Sequence, residues 1–257
     1  MDRILFLCCV VFSLFLFSSS SGQEKSVVSD DGLTINFLTQ GEGEPVIFFV
    51  HGFSGDISGW NNQINHFSKK YRVVAIDLPG FGESGNEREN WSMDAFGKDV
   101  ISVIHQLKLS EVILVGHSMG AAVILEAALE NSTAIKCLVP CDVYHNVESK
   151  ATEDFIQRAK SFYGESLENI GWQESFDDYI EWRNNRLANI LTKIKTPIIC
   201  INSDRFPSDV DVARKYSSSF DVKVIEGVGH RVMTEAPDKF NGLLEEIILK
   251  FMKTSKN

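Results

Sequence analysis

Basic residues are scarce in this chain. Lys and Arg total 25 against 35 Asp and Glu, a formal net charge of −10. A phosphate backbone is repelled by that balance, and no basic patch relieves it locally, so no nucleic-acid partner is expected. Proline and glycine are few, 6 and 18, and follow no period, which removes fibrous, collagen-like and repeat architectures. The 6 histidines form no H-x-H or H-E-x-x-H pair, so neither a metal mechanism nor a cofactor is expected.

Long apolar runs are absent after the first one. Residues 4–17 (ILFLCCVVFSLFLF) are apolar apart from Ser13 and are followed by four serines and Gly22. As a helix this run would span about 21 Å, short of a bilayer core of roughly 30 Å. It reads as a signal peptide over residues 1–22, cut near Gly22, which predicts a secreted or periplasmic protein; an uncleaved membrane tether is the alternative. Cysteine is sparse too. Of the 5, Cys8 and Cys9 fall in the leader, and Cys137, Cys141 and Cys200 remain. Their number is odd, and Cys137 and Cys141 on extended backbone would stand roughly 13 Å apart, beyond the about 7 Å that a disulfide spans. Buried free thiols are the expectation.

What is present is the composition of one folded unit, 44% hydrophobic and 23% charged. Five short β-branched or aromatic runs, at 46–50, 72–76, 111–115, 135–139 and 197–201, read as strands, with a more mixed sixth at 222–226. Their unbroken apolarity implies cover on both faces, as in a parallel sheet. Val27-Val28 and residues 33–38 flank a Ser29-Asp30-Asp31-Gly32 turn and read as a hairpin. Helical periodicity fills 92–107, 119–129 and 243–252. The alternation predicts an α/β protein with a mostly parallel central sheet and flanking helices, occupying residues 23–257. Residues 147–195 interrupt the rhythm with helical pattern and many aromatics, among them Phe162, Tyr163 and Trp172. They predict a small helical cap over the sheet, its aromatics mostly packing and some facing a ligand.

The chemistry concentrates where strand 111–115 runs into Gly116-His117-Ser118-Met119-Gly120 and then an apolar helix. Flanking glycines permit a sharp strand-to-helix turn that presents the Ser118 hydroxyl above the sheet. A serine there needs a base and an orienting acid to act as a nucleophile. This segment resembles the nucleophile elbow of the α/β-hydrolase superfamily, and the likeness extends from about Val46 to the end of the chain.

The resemblance implies further roles, residue by residue. His230, in Gly227-Val228-Gly229-His230 after the last strand, matches the catalytic histidine. Asp204, in Asn202-Ser203-Asp204 after strand 197–201, matches the acid, although its loop is short and lacks the usual glycine. Asp142, just past strand 135–139, and Asp209 compete for that role. Backbone N–H groups of Met119 and of Phe53, in His51-Gly52-Phe53, would form the oxyanion hole. Segment Asp77-Leu78-Pro79-Gly80-Phe81-Gly82-Glu83-Ser84 shapes a loop, Trp60 packs or reaches the pocket, and His66, His105 and His145 have no evident partner.

An aspartate at the elbow would have pointed to dehalogenase or epoxide hydrolase chemistry, and Ser118 stands there instead. The implied function is a serine hydrolase acting on a small-molecule carboxylic ester or thioester. A C–C bond hydrolase, a cofactor-free peroxidase and a hydrolase-fold binding protein with little turnover remain alternatives. The acyl chain length and the oligomeric state have no signature in the sequence.

Overall fold

The computed structural model describes residues 22–130, 133–143, 147–164, 170–205 and 209–254. Apart from Gly22, the segment read as a signal peptide (residues 1–22) lies outside them, as does His145. Eight strands form one sheet. They are β1 (Gln23–Val28), β2 (Thr34–Gln40), β3 (Val46–Val50), β4 (Val73–Ile76), β5 (Val112–His117), β6 (Ile135–Cys141), β7 (Ile198–Ser203) and β8 (Phe220–Ile225). Their spatial order is β1-β2-β4-β3-β5-β6-β7-β8. The first two pair antiparallel as the expected hairpin, β2 meets β4 antiparallel, and all remaining pairs are parallel.

Nine α-helices accompany the described strands: α1 (Asn61–Phe67), α2 (Met93–Gln106), α3 (Met119–Ala127), α4 (Glu153–Tyr163), α5 (Ile170–Glu181), α6 (Leu187–Lys193), α7 (Val210–Tyr216), α8 (Val232–Glu235) and α9 (Pro237–Thr254). Among the described residues no helix is long and apolar enough to cross a membrane.

The apolar strands serve two cores because successive side chains point to opposite faces. In β3, Phe48 and Val50 join the core under α2, α3 and the cap, while Ile47 and Phe49 join the core under α1 and α9. Removing such a side chain from water contributes about 2–3 kcal/mol. Trp60 does both things expected of it: it is fully buried and stacks on Phe49 with ring centroids 4.7 Å apart, and it borders a cavity beside Ser118. Cys137, Cys141 and Cys200 are buried and form no disulfide.

Local chemistry sets the helix ends. Ser92 caps α2 by accepting from Ala95 N–H, and Thr152 caps α4 by accepting from Phe155 N–H. The last helix begins at Pro237, six residues before the apolar repeat that marks it in the sequence, because proline suits a first helical turn that needs no N–H. Between β6 and β7 lie α4, α5, a π-helical turn (Trp182–Arg186) and α6, where the helical cap is expected.

Several strands run further than the apolar pattern suggests, and two of them, β5 and β6, do so side by side. β5 continues through Gly116 and His117, and β6 continues through Pro140 and Cys141, the two pairs facing one another in parallel register. Proline rarely occupies a central strand, which is why the apolar run ends the reading of β6 at Val139. The extra residues carry both chains to the same edge of the sheet.

The strand order reverses there. From β3 the chain goes outward to β4 and then returns to β5 on the other side of β3. Loops leaving β3 and β5 therefore part at the carboxyl end of the sheet, where a crevice forms. Gly120 makes their approach possible: a Cβ on it would stand 2.4 Å from the His51 carbonyl oxygen and 2.6 Å from that of Val50.

Candidate active site

Ser118 sits at the crevice, half-buried, between β5 and α3, with φ 53° and ψ −117°. Its N–H donates to Cys141 O at 3.0 Å, so the turn is tied to the end of β6. Four described non-glycine residues have positive φ: Ser54, Lys108, Ser118 and Asp142. Three of them lie at this crevice. Each such conformation costs on the order of 1–3 kcal/mol, and the surrounding structure must hold it.

His230 lies in the loop between β8 and α8. Glu235 pins that loop by accepting from Gly229 N–H at 2.6 Å and from Arg231 N–H at 3.2 Å. The ring is partly exposed and its Nδ1 is 2.6 Å from Asp142 Oδ2. With Nδ1–H donating to a carboxylate, Nε2 is the basic nitrogen.

Asp142, not Asp204, is therefore the carboxylate that holds His230. Its side chain is fully buried, and its second oxygen accepts from Ser203 N–H at 2.7 Å. Its own N–H donates to Ile201 O at 3.1 Å, so the residue is clamped between the ends of β6 and β7. Asp204 lies one residue beyond β7 and is exposed. Asp209 is exposed and caps α7 by accepting from Val212 N–H at 3.0 Å. The structure does not bring Asp204 to His230 as expected: β6 runs through Cys141 beside β7, which places Asp142 between Ser203 N–H and the histidine ring, while Asp204 turns away past the end of β7.

Met119 opens α3, so its N–H has no acceptor within the helix. Phe53 follows Gly52 across the crevice, and among the described residues its N–H has no main-chain acceptor. Gly52 lets that loop lie against the elbow: a Cβ there would stand 2.9 Å from His117 Nδ1 and 3.1 Å from Ser118 Cβ.

Two further histidines brace the site without lining up for proton transfer. His117 Nε2 donates to His230 O at 2.8 Å, and the two rings lie 4.7 Å apart. His51 Nδ1 donates to Gly52 O at 2.7 Å, while its Nε2 accepts from Leu78 N–H at 2.9 Å. Burial first, then the neighbouring His230, pushes the His117 pKa down to about 3, and burial also lowers that of His51. Both rings are neutral at pH 7. A third histidine does have a partner, contrary to expectation: His66 Nε2 is 3.2 Å from Glu245 Oε1 on α9.

The lowered value makes a stability prediction. Between pH 6.5 and about 3 the unfolded chain binds a proton that buried His117 refuses, so stability is complete above the unfolded value and lost as pH falls. Urea midpoints should fall on acidification, and His117→Gln, which keeps a donor for His230 O, should flatten that slope by up to about 1.4 kcal/mol per pH unit. An unchanged slope in the variant counts against the assignment.

A cavity of about 330 Å³ opens over Ser118 and His230. Phe53 forms one wall, in edge contact with Tyr163 at 4.6 Å, Trp172 at 5.5 Å and Phe176 at 5.7 Å. Trp172 Nε1 also donates to Gly80 O at 2.7 Å, joining the cap to the loop after β4. Tyr163 and exposed Phe162 are the cap aromatics that line the cavity. Trp182 instead fastens the cap to α3 through Glu126, at 2.7 Å. Arg231 and Asp56 also line the cavity, although neither belongs to a recognisable motif. For Arg231 the one sequence signal is its place directly after His230.

Comparison with known proteins agrees with this architecture. The chain is 31% identical over 137 residues to (E)-2-((N-methylformamido)methylene)succinate hydrolase of Acinetobacter baylyi, covering 53% of this chain and 52% of that protein. It is 33% identical over 99 residues to epoxide hydrolase 4 of Mus musculus, covering 37% and 28% respectively. These matches span about half or less of the curated relatives' lengths. Among solved structures, epoxide hydrolase VrEH1 of Vigna radiata superposes with a TM-score of 0.72 at 22% identity, covering 90% of this chain and 98% of that one. The sequence profile of the alpha/beta hydrolase family matches residues 47–243, the span that holds the elbow, the histidine loop and the cap between them, and the chain belongs to that family.

Proposed function

We propose that the protein is a serine hydrolase acting on small carboxylic esters or thioesters, with Ser118 as nucleophile, His230 as general base and Asp142 as the orienting acid. The observation that carries this reading is the 2.6 Å hydrogen bond from His230 Nδ1 to buried Asp142, at a cavity lined by both His230 and Ser118. Relatives named hydrolases support the general class. Serine at the elbow favours acyl transfer over the aspartyl chemistry that the likeness to epoxide hydrolases would otherwise suggest.

In the mechanism, His230 Nε2 takes the Ser118 proton as Oγ attacks the substrate carbonyl. Asp142 stabilises the imidazolium and holds the ring's orientation. N–H groups of Phe53 and Met119 donate to the oxyanion, the first at a loop and the second at a helix start where the dipole also favours negative charge. The imidazolium then protonates the leaving alcohol or thiol. Water, deprotonated by His230, attacks the acyl-enzyme and regenerates Ser118.

The test is labelling of the folded protein with a fluorophosphonate probe, with the adduct mapped by mass spectrometry. An adduct on Ser118 together with turnover of short activated esters is expected. A folded protein that takes no adduct and releases no product would show a binding module instead.

A further inference from the structure

The acyl-transfer chemistry leaves one charged side chain at the cavity without a use. Arg231 directly follows His230, and its main chain is held through Glu235 and through its carbonyl, which accepts from the N–H groups of Thr234 and Glu235. Its guanidinium extends toward the loop after β3, where Nη2 stands 3.8 Å from the position a Cβ on Gly59 would take. The charge is felt on both sides of the cavity as a minor contribution. The hydrogen bond with Ser58 chiefly lowers the pKa of Asp56 on that loop, and burial followed by His230 chiefly lowers that of His117, with Arg231 adding to each.

The carboxylates around it are engaged elsewhere. Asp142 holds His230 Nδ1 and Ser203 N–H. Glu235 takes the N–H groups of Gly229 and Arg231. Asp56 caps the 3-10 turn Ile57–Trp60 by accepting from Ser58 N–H at 2.7 Å. Among the described residues no side chain forms an ion pair with the Arg231 guanidinium, and it is the one Lys or Arg lining the cavity. A planar guanidinium matches a carboxylate through two parallel N–H bonds, and because Arg231 is exposed at the cavity mouth, water and salt screen the pair.

We propose that Arg231 binds the carboxylate of an anionic substrate, so that the cavity selects small esters carrying a free carboxylate, such as half-esters of short dicarboxylic acids. This rests on Ser118 acting as the nucleophile. Asp56 is the opposing charge at the same cavity and weakens the preference.

The experiment compares kcat/KM for monoethyl glutarate with that for its neutral half-amide, ethyl 5-amino-5-oxopentanoate. The wild-type protein should prefer the acid by about fivefold to tenfold at low salt, chiefly through KM. Arg231→Gln should bring the ratio close to one, Arg231→Lys should retain part of it, and Asp56→Asn, which keeps the turn's cap, should raise it. Salt should lower the wild-type ratio as screening grows. A wild-type ratio near one, or an Arg231→Gln ratio within about twofold of wild type, overturns the assignment. If Arg231→Gln does not fold, a wild-type ratio insensitive to salt and to Asp56→Asn overturns it equally. Failure here is separable from failure of the hydrolase reading: turnover of the half-amide with a labelled Ser118 and no charge preference removes Arg231 alone, whereas no turnover and no label removes both.

Discussion

Ser118→Ala is expected to lower kcat/KM on short activated esters by about 10⁵–10⁶-fold, to the level set by binding and the oxyanion groups alone. The residue has no substitute. Its backbone sits at φ 53° at the start of α3, a geometry no other hydroxyl at the cavity shares with a helix N-terminus beneath it. Removing Oγ leaves the strain and the packing in place, so circular dichroism and the urea midpoint should match wild type within about 0.5 kcal/mol. Retained ester turnover in a variant of unchanged stability would falsify Ser118 as nucleophile. Loss of turnover with loss of folding would say nothing about chemistry, which is why both measurements are made on the same preparation.

Asp142→Asn should cost about 10⁴-fold in kcat, while Asp204→Asn should leave kcat within about twofold of wild type. The asparagine side chain has nearly the same shape, but its amide has one oxygen and one NH₂ group where the carboxylate has two acceptors. Asp142 now satisfies Ser203 N–H with one oxygen and His230 Nδ1–H with the other. If the amide oxygen stays on Ser203 N–H, its NH₂ faces His230 and favours the tautomer with Nδ1 unprotonated, which leaves the proton on Nε2, the nitrogen that should receive one. The loss should fall on kcat more than on KM, because Asp142 does not line the cavity. Equal losses for Asp142→Asn and Asp204→Asn, or a loss confined to Asp204→Asn, would restore the acid to the loop after β7.

These two predictions differ in how far the sequence anticipates them. The elbow is local. A buried strand, two glycines around a serine and an apolar helix lie within about twenty consecutive residues, and each element follows from short-range preferences. The histidine is nearly as legible, since Gly227-Val228-Gly229 breaks the chain directly before it and a helix follows. The acid is not local. Asp142 and His230 are 88 positions apart, and which aspartate meets the histidine depends on where β6 and β7 end relative to each other. Apolar periodicity stops at Val139, yet the strand goes on through a proline because Gly116 and His117 on β5 offer it a partner. No count of hydrophobic residues records that pairing.

The cap shows the same division. Its helices are visible as amphipathic pattern, but the choice between packing and lining is made by contacts with other parts of the chain. Tyr163 meets Phe53 and faces the cavity, while Trp182 reaches Glu126 and is spent on anchoring. Arg231 is an ordinary surface-type residue until the loops after β3 and β8 converge and every carboxylate around it is engaged by a main-chain N–H or a histidine.

By itself, then, the amino-acid order determined the α/β architecture and the turns that present Ser118 and His230 at the crevice, because those depend on propensities and turn chemistry within single short segments. Tertiary structure alone decided which aspartate meets His230, the aromatic wall and the charge at the mouth of the cavity. Those depend on strand register and loop convergence, and the free energy that sets them comes from contacts between residues far apart in the chain.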